Sequence, residues 1–398
     1  MGGNLQPRLW LLLVACLAGC AGKPMPLPND AYVWQRQWTP ALAQALSDDG
    51  RSVREWRVLA GEMDAQGRWR LFAPDWRALA ASGRPVVAVV RIDGQLQHWD
   101  ETTLLADVRA VLALWRRQKL AFAGVEIDHD CATSRLPAYA HFLAALRPSL
   151  LPRERLSITA LPTWLHSPEL DPLLAQADET VLQVHAVQSP RAGLFDPAKA
   201  RAWLGAFARR THKPWRVALP AYGTRVSWDT SGRVIAIESE QPTLVGAADS
   251  NELFADPQTM QRFVAALEKH VPDGLAGIVW FRLPTADDVR AWSDASWRAV
   301  LARAPLHAAL AVIAGSTDDP HRYDLQLVND GDADLPLPPL IRIDGACMAA
   351  DGINGYVLRQ DARGMYLQRV RAGMLRAGYR QAIGWVRCAA KPTLGLGA

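Results

Sequence analysis

Acidic side chains recur at every second position in the stretch Ala123-Gly124-Val125-Glu126-Ile127-Asp128-His129-Asp130. Successive side chains of a β-strand point to opposite faces, so Glu126, Asp128 and Asp130 share one face and Val125, Ile127 and His129 the other. Carboxylates aligned in this way repel one another when all are ionised, so the group should keep a proton near neutral pH. A carboxyl that holds a proton at pH 7 can act as a general acid, with the deeper acids positioning it and tuning its pKa. A half-exposed edge strand with its acids in water is the plain structural alternative.

Other chemistries fit these residues less well. His129 points away from Asp128 and Asp130, and although His185 is a possible third ligand for a divalent cation, no metal is assigned. No other cofactor is implied. No nucleophile elbow supports Ser-His-Asp catalysis. Cys131 as a nucleophile needs a neighbouring imidazole, and His129 shares its face only if the strand continues.

The surrounding pattern places the acidic strand fourth of eight. Ala31 to Trp38, Trp56 to Glu62 and Pro85 to Asp93 read as strands one to three, the third near-continuously apolar as expected of burial on both faces. Thr39-Pro40 is a helix start with proline at the first helical position. Thr102 to Gln118 carries apolar residues at the three-four spacing of an amphipathic helix and leads into the acidic strand. Leu156 to Trp164, Thr180 to Val187, Trp215 to Tyr222 and Ala276 to Leu283 supply strands five to eight, with helices at Leu136 to Leu146, Pro197 to Arg210 and Gln258 to His270. This alternation predicts an α/β fold, a (β/α)8 barrel over 31–305. No Gly-rich phosphate loop follows strand one, which argues against an open doubly wound sheet.

Between strands seven and eight, at about 223–250, Val226-Ser227-Trp228 and Val234 to Ile237 flank a turn and predict a β-hairpin above the barrel mouth. From residue 306 to 398 the pattern changes to short alternating strands, predicting a small all-β, sandwich-like domain. A domain of that size wants a staple.

The first 20 residues read as a secretory segment, with Arg8 before an apolar run from Leu9 to Ala18 that is too short for a permanent span. The run ends in Leu17-Ala18-Gly19-Cys20, which resembles the lipobox of bacterial lipoproteins. That resemblance implies acylation of Cys20, a membrane anchor and, with Ala21 next, an outer-membrane address in the cell envelope. Residues 21–30 form a tether. Three further cysteines, Cys131, Cys347 and Cys388, would then stand in an oxidising compartment; Cys347 and Cys388, both in the last segment, are the expected pair. A formal charge of +4 without a basic run predicts no nucleic-acid partner. Oligomeric state is not legible.

At strand four the chain resembles the family 18 glycoside hydrolases, whose motif there is Asp-x-x-Asp-x-Asp-x-Glu with the terminal glutamate as proton donor. Glu126, Asp128 and Asp130 fall on its last three acidic positions, and Ala123 on its first. The resemblance implies that Leu182-Gln183-Val184-His185 stands where that family has a strand-six tyrosine, and that Trp280 is its sugar-flooring tryptophan. The layout from lipobox through barrel to terminal β-module also resembles a family of bacterial lipoproteins of unknown function.

Together these imply catalytic roles for Asp130, Asp128 and Glu126. Trp280, Gln183, His185, Tyr222, Arg282 and Trp228 are the implied sugar-binding residues. Arg36, Glu62, Arg91 and Asp93 stand at strand ends, and Trp34, Trp38 and Trp164 are further stacking candidates. The expected substrate is a glycan with N-acetylated sugars. The alternative is a non-catalytic envelope lipoprotein that binds a glycan or protein through a degenerate barrel site, because Asp130 is one methylene shorter than the family's glutamate and His185 lacks the phenol.

Overall fold

The computed structural model describes residues 26–185, 193–231, 233–238 and 249–397. The secretory segment, Cys20 and residues 21–25 of the tether lie outside the described residues, as do positions 186–187 of the sixth strand and 239–248 of the insertion. Eight strands form a parallel cylinder: β1 (Asn29–Val33), β2 (Trp56–Met63), β3 (Val86–Ile92), β4 (Phe122–His129), β5 (Arg155–Ala160), β6 (Glu179–Gln183), β7 (Trp215–Pro220) and β8 (Leu275–Phe281). Each pairs with its neighbour in chain order, and β1 closes the ring by pairing with both β2 and β8. This is the expected (β/α)8 barrel.

The helices α1 (Pro40–Asp49), α2 (Trp76–Ala81), α3 (Glu101–Arg116), α4 (Leu136–Leu146), α5 (Leu170–Gln176), α6 (Pro197–Ala208), α7 (Pro257–Lys269) and α8 (Asp294–Ala302) surround it. Thr39 caps α1 with Pro40 inside its first turn, because a cap side chain satisfies an orphan N–H and proline has none to lose. Outward-facing strand residues pack against these helices around fully buried Trp56, Trp115, Trp164, Trp215, Trp280 and Trp297. Strand ends differ from expectation where a residue forbids continuation. β5 stops at Ala160 because Pro162 opens a single 3-10 turn, and β6 stops at Gln183, leaving His185 in an isolated bridge to Phe195.

The insertion is a three-stranded antiparallel sheet of Gly223–Trp228, Val234–Glu238 and Asp249–Phe254, one strand more than the expected hairpin. Beyond α8, two four-stranded antiparallel sheets enclose a second apolar core that includes Leu325, Leu327, Ile341, Leu367, Ile383 and Val386. Cys347 and Cys388 face each other on neighbouring strands there and are joined by a disulfide. This module docks on the start of α8: buried Asp334 accepts from the backbone N–H of Ser293 and of Ala377, each at 2.8 Å.

Candidate active site

Side chains fill the barrel in layers, as an eight-stranded cylinder requires. The deepest is ionic. Arg57, fully buried on β2, donates to Glu126 and Glu179 and stands 3.5 Å from Asp30 and 3.4 Å from Glu55. Arg216 joins from β7, with its Nε 2.9 Å from Glu179 and 3.2 Å from Asp30. Arg54 and Arg155 close the rim, on Asp30 at 2.7 Å and Glu55 at 2.5 Å. Four arginines thus meet the four acids Asp30, Glu55, Glu126 and Glu179. Burial alone would raise Glu179, but Arg57, Arg216 and Arg155 outweigh it and hold its carboxyl at about 2.

Glu126 belongs to this layer. It is fully buried and accepts from Arg57, from Tyr32 Oη at 2.5 Å and from Ser157 Oγ at 2.9 Å. It therefore does not reach the mouth, and the expected catalytic role is corrected to a structural one: three donors engage the carboxylate that a substrate would need.

Asp128 lies one layer higher, 7 % exposed, and accepts from Thr159 Oγ1 at 2.6 Å. Burial first, then the charge of Asp130, pushes its carboxyl up to about 7 against the pull of that hydrogen bond and of Arg91. Asp130 is exposed at the C-terminal mouth, where the surrounding walls push its carboxyl up and Arg91 opposes them. The two carboxyls titrate as a pair that holds one proton near neutral pH.

The positions of Arg91 and Glu62 follow from register. Arg91 on β3 is aligned with Asp128 on β4 and with Glu62 on β2. A bulge between Leu59 and Gly61 shifts β2 by one residue, so Glu62 comes inward, where unbroken alternation from Arg57 and Leu59 would turn it out. Arg91 Nη1 donates to Glu62 at 2.6 Å, and Arg36 clamps the same carboxylate at 2.9 Å. Burial would raise Glu62, but these two arginines hold it below the usual carboxylate range. The mouth thus carries an ionised, paired acid beside a protonated one.

The opposite wall is aromatic. Phe281 of β8 contacts Tyr32, Trp34 and Tyr222 edge-on at 5.7, 5.2 and 5.3 Å and stacks on His185 at 5.4 Å. Burial pushes His185 down to about 3, so its imidazole is neutral, and among the described residues its Nδ1 has no partner. Gln183, half-buried at the end of β6, donates to the His185 backbone carbonyl at 3.3 Å. Tyr32 links the two walls through its bond to Glu126.

Other expected site residues stand elsewhere. Trp280 is fully buried on the outside of the cylinder, donates to Asn29 and packs against Trp292 and Trp297, so it floors no sugar site. Its neighbours Val279 and Phe281 are the inward residues. Arg282 is fully buried and paired with Asp288, and Trp228 is 6 % exposed, which leaves neither as an open contact surface. Trp164 is buried in the outer core, Trp38 packs against it, and Asp93 accepts from the Gln95 N–H in a turn. His129 hydrogen-bonds to the Ile92 carbonyl outside the barrel, and burial pushes the free Cys131 thiol up to about 12. Among the described residues no group of three His, Cys, Asp or Glu is placed to hold a metal ion.

Gly94 was not singled out by the sequence. A Cβ there would lie 2.0 Å from the Asp130 backbone oxygen, so the loop after β3 approaches the acid closer than any side chain allows. Gly94→Ala is expected to displace Asp130 and lower stability by roughly 1–3 kcal/mol, read by denaturant unfolding. A second expectation concerns Asp128. Its folded pKa of about 7 lies above the ordinary value of 3.8, so the folded state binds the extra proton and stability falls as pH rises from about 4 through about 7. Asp128→Asn should remove that loss: its melting temperature should exceed wild type at pH 8 and converge with it at pH 4. Equal offsets at both pH values would mean that Asp128 is ionised throughout.

Known families and structures match this architecture. Residues 82–286, half of the chain, match the family described as Domain of unknown function (DUF3142), and residues 312–389 match another, Domain of unknown function (DUF8456). No curated protein matches. Among solved structures, the spore cortex-lytic enzyme SleL of Bacillus cereus is 13% identical with a TM-score of 0.51, over 71% of this chain and 75% of that one. The SleL of Bacillus megaterium is 12% identical with a TM-score of 0.50, over 70% and 74%. A chitinase from Chromobacterium violaceum is 14% identical with a TM-score of 0.49, over 70% and 98%. At such identities the likeness is one of fold, that of a (β/α)8 barrel.

Proposed function

The chain belongs to the DUF3142 family, and we propose that its barrel mouth is a glycan-cleaving site that acts on N-acetylated sugars at the cell envelope. The observation that carries this reading is the Asp128 and Asp130 pair, which keeps a proton near neutral pH at the open end of a glycoside-hydrolase-like barrel. Asp130 donates that proton to the glycosidic oxygen as the bond to the anomeric carbon breaks. Asp128 steadies the nucleophile on that carbon, either the neighbouring acetamido oxygen or a water, and water finally restores the hydroxyl. Half-buried Phe281, not Trp280, supplies the apolar face against which a sugar ring rests, with the buried Trp34 and Tyr222 rings packed edge-on against it and half-buried Gln183 at the end of β6.

The lipobox-like Leu17-Ala18-Gly19-Cys20 supports a lipid anchor on Cys20 and an outer-membrane location. The test is release of reducing ends from chitin oligosaccharides and peptidoglycan by the purified protein; no turnover on that panel removes the hydrolase reading. A binding role at the same mouth is the second reading. It is favoured by the short reach of Asp130 and by the neutral His185, which offers no phenol to the substrate.

A further inference from the structure

A cavity of about 390 Å³ opens between the insertion sheet, the loop after β8 and the C-terminal β-module. Its size is at the lower end of ligand pockets, roughly 300–1,000 Å³. The insertion follows β7 and the loop follows β8, so the cavity stands at the same end of the barrel as Asp130. Three arginines line it, Arg225, Arg290 and Arg371, against one acid, Glu252, with Asn354 and Gln381 adding amides.

Arg290 is the informative residue. It is 7 % exposed; its Nε and Nη2 lie 3.1 and 3.4 Å from Glu252, while its buried Nη1 has no acceptor among the described residues. A buried guanidinium N–H without an acceptor carries a desolvation cost that a bound anion would remove. Arg225 donates to the neutral Ser250 hydroxyl at 3.0 Å, and Arg371 is exposed. On the wall from the β-module the cation is Arg371, beside Asn354 and Gln381. The apolar lining is Phe254, Val289, Leu337 and Met374, with no tryptophan or tyrosine on which nucleobases would stack.

We propose that this cavity is a binding site for a carboxylate-bearing sugar, so that the glycan engaged by the mouth is an acidic one held at a second point by Arg290, Arg371 and Arg225. This inference rests on the glycan reading of the mouth, but its test needs no turnover. Calorimetry on the full chain with tri-galacturonate should show binding that weakens as salt rises, and neutral galactotriose should not bind there. Arg371→Ala, at an exposed position where folding is not at stake, should weaken tri-galacturonate binding about tenfold, and Arg290→Gln should abolish it. Binding indifferent to Arg371→Ala, equal binding of galactotriose, or full displacement by equimolar inorganic phosphate would overturn the proposal. A chain that cleaves nothing yet binds through Arg371 would sink the hydrolase reading alone. One that cleaves neutral glycans while ignoring Arg371 would sink this inference alone.

Discussion

Asp130→Asn is expected to lower glycan cleavage by about 10²–10⁴-fold while leaving the melting temperature within a degree or two of wild type. Asp130 is exposed, and among the described residues no side-chain hydrogen bond to its carboxylate ties it to the barrel, so removing its charge costs the fold little. An amide cannot protonate a leaving oxygen, which is why the rate should collapse. The pH dependence of the wild type follows from the same pair. Burial raises Asp128 to about 7 and the barrel walls around the mouth push Asp130 upward as well, so the pair's proton is present below about 7 and lost above it. Turnover should therefore fall as pH rises past about 7. A variant that keeps more than a tenth of wild-type turnover would mean that another group supplies the proton.

Arg57→Met should be the most destabilising single change in the barrel, by about 3–5 kcal/mol in denaturant unfolding. The side chain is fully buried and faces Glu126, Glu179, Glu55 and Asp30, so its loss leaves those carboxylates short of one cation in a dry layer. The loss should shrink at low pH, because unpaired acids take up protons. Wild type should show the opposite trend. Glu179 is depressed from 4.5 to about 2, so its contribution is complete above about 4.5 and disappears as pH falls toward 2. A loss below 1 kcal/mol at pH 7 would show that the layer is not ionised as drawn.

The eight strands were legible because parallel strands buried on both faces read as near-continuous apolar runs. The acidic strand stood out because its carboxylates broke that rule with period two. The same burial hid the facing of β8: in Ile278-Val279-Trp280-Phe281 both faces are apolar, so nothing in the spacing says that Phe281 looks inward and Trp280 outward. The bulge at Ala60 was equally silent, and it alone brings Glu62 to Arg91. The ionic layer leaves a trace in the sequence. Trp56-Arg57-Val58 and Trp215-Arg216-Val217 each set an arginine inside an apolar strand, a placement that demands a buried partner. The partners, Glu126 and Glu179, are 69 and 122 residues from Arg57, beyond any local pattern.

Asp128 in β4 and Asp130 just beyond its end share a proton at the mouth near neutral pH. A carbon-13 carboxyl NMR titration of aspartate-labelled protein measures it without a substrate. One resonance of the pair should titrate near pH 7, and Asp130→Asn should shift that titration downward by removing the neighbouring charge. Two resonances that both titrate near pH 4, unaffected by Asp130→Asn, would contradict it.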